Sequence, residues 1–206
     1  MDEIREPFAA DLNGSSGWAD RPAFISDAEL LRTFVSPQIM EYFQAKMPDL
    51  SPETLVLRVC ELLKYLMLVQ FSPGRILFGR EIDDVWHYWI LQTRQYAQLC
   101  EKLPGKFFRH HSSVAYRETA NVVQAADPSE AVQRILSFFI SYYRNFGPMT
   151  DDRVACWPTI QRVINEAGWD LGGLNYFLCE MAFASTPQSA SVNHTEQSRL
   201  GREEVG

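Results

Sequence analysis

Four places in this 206-residue chain spell a helix start in their own residues. Ser26-Asp27-Ala28-Glu29 has the S-x-x-E form of a capping box, in which the serine oxygen accepts from an early amide and the glutamate reaches back. Ser36-Pro37, Ser51-Pro52 and Asp127-Pro128 each put a capping oxygen just before a proline at the first helical position, where its missing N–H costs nothing. Four such starts are hard to fit to a sheet protein. They predict helices near 27–34, 37–47, 52–70, 81–102, 114–125, 128–145, 158–167 and 172–183.

Two of these segments read as central. "LVLRVCELLKYLMLVQF" is apolar nearly all round, which implies burial on several sides rather than on one stripe. "AVQRILSFFISYYRNF" is similar, with Arg134 and Arg144 marking its wetter edge. The one candidate strand is Arg75 to Phe78, "RILF", between Pro-Gly and Gly. The expectation is a single all-α domain of about seven or eight helices over residues 21–184. The first 20 residues lack periodicity and predict a flexible segment, and the polar stretch 185–206, which holds His194, predicts a disordered tail.

A net charge of −7, with 19 dispersed basic residues, leaves no electrostatic footprint for nucleic acid. No apolar run is long enough to cross a bilayer. The acidic start "MDEIREPFAADLNGSSGW" lacks the order of a signal peptide, so the expected location is cytoplasmic, with no membrane partner. Cys60, Cys100, Cys156 and Cys179 form no CxxC pair and are expected to be reduced and mostly buried. There is no Walker A loop, G-x-G-x-x-G, G-x-S-x-G or H-E-x-x-H, so no nucleotide cofactor is expected.

Chemistry-bearing residues concentrate in Ile82 to His111, "IDDVWHYWILQTRQYAQLCEKLPGKFFRHH". On a straight helix Asp83 and Asp84 lie four and three positions before His87, on roughly its face, with Leu91, Arg94 and Gln98 continuing the stripe. Cys100 is about 20 Å further along, which rules out a metal shared with His87. Pro104-Gly105 ends the helix, and residues 104 to 110 in extended form span about 23 Å, enough to bring His110 or His111 back to His87. Asp83, His87 and one of His110 and His111 would then form a His/carboxylate set of the kind that holds Zn²⁺ or Fe(II). The plainer alternative is a structural Asp–His pair near a helix start, followed by a solvated basic loop.

The pattern Asp83-x-x-Trp86-His87-x-x-Ile90-Leu91-x-Thr93-x-x-Tyr96-x-x-x-Cys100, then Gly105-x-Phe107 and His110-His111, resembles the bacterial branch of the glycine-rich-domain-containing protein-like family. "YYRNFGPMTDDRVACWP" is similar to that family's Tyr…Phe-Gly segment leading to Trp-Pro. The resemblance covers about residues 75 to 158. It implies an α-helical fold, singles out Asp83, His87, His110 and His111, and supplies no reaction. Trp89 stands where many members carry a second histidine, and the glycine-rich segment is missing.

Two functional expectations follow. The first is a small cytoplasmic helical protein with a His/Asp divalent-metal or catalytic site, acting on a small molecule as an enzyme of a specialised pathway. The second is a non-catalytic interaction or accessory module, in which Trp86 and His87 lock helix packing while Tyr142, Tyr143 and Phe146 meet a protein partner.

Overall fold

A computed structural model describes residues 23–72, 76–103 and 128–184. Every described element is helical, and no strand occurs among these residues, so Ile76 to Phe78 is irregular backbone rather than the expected strand. The helices are α1 (Asp27–Phe34), α2 (Pro37–Lys46), α3 (Pro52–Leu68, followed by a 3-10 turn Val69–Phe71), α4 (Arg80–Leu91), α5 (Thr93–Lys102), α6 (Pro128–Phe146), α7 (Asp151–Ala155), α8 (Pro158–Ala167) and α9 (Leu171–Phe183). The expected helix 114–125, the Asp127 cap, the first 20 residues and the tail 185–206 lie outside the described residues.

Three of the start signals act as the local chemistry requires. Ser26 and Glu29 form the full capping box of α1, while Ser36 and Ser51 accept from Ile39 N–H and Thr54 N–H at the starts of α2 and α3. α8 stops at Gly168, whose φ of 67° is the left-handed conformation glycine adopts without steric cost.

α3 is the hub. It packs against α1, α2, α4 and α6, and its Leu55, Val59, Leu62, Leu63 and Leu66 are all buried. That is what an all-round apolar helix must do to remove its surface from water. The C-terminal half of α6 is buried through Phe138, Phe139, Tyr142, Tyr143 and Phe146. The expectation that Tyr142, Tyr143 and Phe146 meet a partner is therefore corrected: these rings belong to the core, where Tyr142 meets Phe146 and Trp157 edge to face and Tyr143 meets Phe24 in the same way.

The helix expected over 81–102 is two helices. Gln92 leaves helical geometry (φ −89°, ψ 64°), and its N–H bonds to Trp89 O at 2.9 Å in a tight turn. No proline or glycine marks the bend. Its cause is tertiary: the Trp86 indole N–H donates to the Tyr96 hydroxyl at 2.9 Å. Ten residues of straight helix would separate these side chains by about 15 Å of rise. Only a bent chain brings them together, and the stripe expected from His87 through Gln98 is broken by it.

Candidate functional site

The position of α4 is set at its first residue. Gly79 precedes the helix, and its N–H donates to Cys156 O at 2.8 Å. A β-carbon there would lie 2.9 Å from that same carbonyl oxygen, closer than real β-carbons approach. Its φ of −75° is open to any residue, so proximity rather than backbone strain explains the glycine. Gly79→Ala is expected to destabilise the protein by about 1–3 kcal/mol, because backbone must move to admit one methyl group. Unfolding in urea measures it, and a variant as stable as the parent would show that the contact yields freely.

One turn later come Asp83 and His87. The His87 side chain is half exposed, and its Nδ1 lies 2.8 Å from the Asp83 carbonyl oxygen and 3.3 Å from Asp83 Oδ2. A backbone carbonyl only accepts, so Nδ1 is the protonated nitrogen and, in the neutral ring, Nε2 holds the lone pair. The Asp83 carboxylate thus sits on the Nδ1 side of the ring. Asp84 turns instead to Arg80, 3.5 Å away. His110, His111 and His194 lie outside the described residues. Among the described residues, no group of three His, Cys, Asp or Glu side chains could hold a metal ion.

The four cysteines are unbridged, three buried and Cys179 half-buried. Burial pushes both the Cys60 and Cys156 thiols up to about 12, reinforced by the charges of Asp27 at Cys60 and Glu61 at Cys156. Neither is a thiolate nucleophile at neutral pH.

A larger cluster escaped the sequence reasoning. Glu61 and Lys64, on α3, are fully buried. Glu61 accepts from the Tyr142 hydroxyl at 2.7 and 2.9 Å, from Trp157 Nε1 at 2.8 Å and from Lys64 Nζ at 2.8 Å. Lys64 also reaches Asp27 at 2.7 Å and the Tyr142 hydroxyl at 3.2 Å. Arg153, on α7, donates to Asp27 Oδ2 at 3.0 Å. Two acids and two bases are thereby neutralised, joining α1, α3, α6 and α7 to the start of α8. Burial alone would raise the Asp27 carboxyl, but Lys64 and Arg153 outweigh it and hold it below its ordinary value. Burial first, then the Glu61 charge, drives the Tyr142 hydroxyl well above its usual range. The signal was available: Glu61 and Lys64 are opposite charges three apart in the most apolar part of α3, and there they must pair or stay wet.

Fold and geometry define an all-α protein with a buried ion network and an exposed, oriented Asp–His pair. Residues 26–127, just short of half the chain, match a family model described as UCP032817-like. This corrects the resemblance to the glycine-rich-domain-containing protein-like family, since the family that matches is a different one. The matched stretch holds Asp83, His87, His110 and His111. No curated protein and no solved structure matches the chain.

Proposed function

We propose that this is a small helical protein with a divalent-metal centre built on His87. What supports it is the ring's tether: Nδ1 donating to the Asp83 carbonyl oxygen fixes the orientation of the imidazole, as an outer hydrogen bond does for a metal-binding histidine. In this arrangement Asp83 orients the imidazole rather than ligating. His110 and His111 are the candidates for the further ligands, and Zn²⁺ or Fe(II) suits a set rich in imidazole. A position left to water or to a small-molecule substrate would make the protein an enzyme of a specialised pathway. Action in the cytoplasm is part of the same proposal, and no described helix is long and apolar enough to cross a membrane.

Elemental analysis of protein purified without a histidine tag and dialysed against Zn²⁺ tests this. About one equivalent is expected, with His87→Ala retaining under a tenth and Asp83→Asn binding roughly 10–100-fold more weakly. Under a tenth of an equivalent in the parent, with no metal-dependent rise in Tm, overturns it.

One observation favours the accessory-module reading instead. α9 is apolar beyond the buried row Leu174, Leu178 and Ala182, with Tyr176 56% and Met181 45% exposed. Tyrosine and methionine are enriched where protein partners meet. On that reading His87→Ala alters stability alone, so a well-folded His87→Ala protein that loses a measurable turnover would exclude it.

A further inference from the structure

α9 turns Leu174, Leu178 and Ala182 inward and packs along α6. Its outer side carries Tyr176, Phe177 and Met181, neighbours at helical spacing, and Glu180 is the only charged side chain of the helix. Met181 is 45% exposed and Phe177 is half-buried beside Trp169. A thioether among aromatic rings makes an adaptable apolar surface that suits one more flat ring.

The described chain enters the fold at one end of this surface. Ile25 N–H donates to Asn145 O at 2.8 Å, and the Phe24 ring meets Tyr143 edge to face with centroids 6.0 Å apart. A β-carbon on Gly147 would lie 3.0 Å from the Phe24 ring, so glycine there leaves room for it. Tyr143 in turn meets Phe183, the last residue of α9, at 6.4 Å. Residues 1–22 therefore join the fold beside the C-terminal end of α9. Met181 and Tyr176 lie about 3 and 10 Å back from that end by helical rise.

We propose that residues 1–22 dock along the outer face of α9, with the Trp18 ring seated on Met181. Five residues separate Trp18 from Ala23, a reach of about 16 Å when extended, which covers the distance. The segment brings two large aromatics, Phe8 and Trp18, whereas residues 185–206, which leave from the same end, bring none. A segment without helical period is held by single large anchors rather than by a stripe, and a buried tryptophan removes about 150–250 Å² from water. The docking does not depend on the metal centre. It gives the apolar face of α9 an occupant from the chain itself, which a protein partner would have to displace.

Full-length protein carrying ¹³C at its methionine methyl groups tests this, with the Met181 resonance assigned through Met181→Leu. Expected are an upfield ring-current shift of the Met181 methyl, Overhauser contacts from it to the Trp18 indole protons, and loss of both in Trp18→Ala. Trp18→Phe keeps a ring and should retain part of the shift. Trp18 is not among the residues of the described core, so both variants should fold, and unmoved Met40 and Met67 resonances verify it. The proposal is overturned if Trp18→Ala leaves the Met181 resonance where it was. It is equally overturned if the contacts of that methyl appear only as protein concentration rises, which would make a second copy the occupant.

Discussion

Lys64→Met should destabilise the protein by about 3–5 kcal/mol, the cost of removing one partner from a buried ion pair. Methionine keeps the length and apolar stem of lysine, so packing changes little and the loss is electrostatic. What remains is Glu61, fully buried, with its carboxylate held by the Tyr142 hydroxyl and the Trp157 indole and with no cation nearer than the Arg153 guanidinium, 3.7 Å away. Asp27 keeps Arg153 and is partly exposed, so it suffers less. Against a typical total of about 5–15 kcal/mol, such a loss moves the urea midpoint far without needing a change in slope. A loss under about 1 kcal/mol would mean the pair behaves like a solvated surface bridge, and the network would not be dry. The double variant Glu61→Gln/Lys64→Met should lose clearly less than the two single changes summed, because each single change strands the other's charge.

What could be read from the chain, and what could not, divides by range. Caps are local: Ser26, Ser36 and Ser51 bond to amides three residues away, and each start stands where the residues put it. The bend at Gln92 is not local. It depends on Trp86 meeting Tyr96, and no residue at the bend announces it. α7, five residues long, is too short to show a period. Proximity of Asp83 to His87 follows from helical spacing alone, but which ring nitrogen faces the acid needs a side-chain rotamer. Tyr142 and Tyr143 looked available to a partner because a helical period marks a face without saying what covers it. Here α3, α8 and α9 cover it.

The same limit bears on Trp157, where the largest packing effect is expected. Its indole is fully buried among Phe138 (centroids 5.5 Å apart), Phe139 (5.4 Å), Tyr142 (6.3 Å) and Tyr65 (6.3 Å). Its N–H holds Glu61 Oε2 at 2.8 Å. Trp157→Ala should cost about 3–5 kcal/mol, through the cavity left among four rings. Trp157→Phe keeps most of the ring and loses only the hydrogen bond to a charged acceptor, so about 1.5–3 kcal/mol is expected. Chemical denaturation of both variants separates the contributions. Equal losses would place the whole effect in the Glu61 bond, and a small loss for alanine would mean that the rings close over the gap. The residue also marks where the family match stops short of the fold. Asp27, Glu61 and Lys64 lie inside the matched residues 26–127, but Tyr142, Arg153 and Trp157, which satisfy them, lie beyond. Buried charges cannot wait for partners in water-free surroundings. The matched stretch is therefore not a self-sufficient unit, and the helices after residue 128 belong to the same cooperative structure.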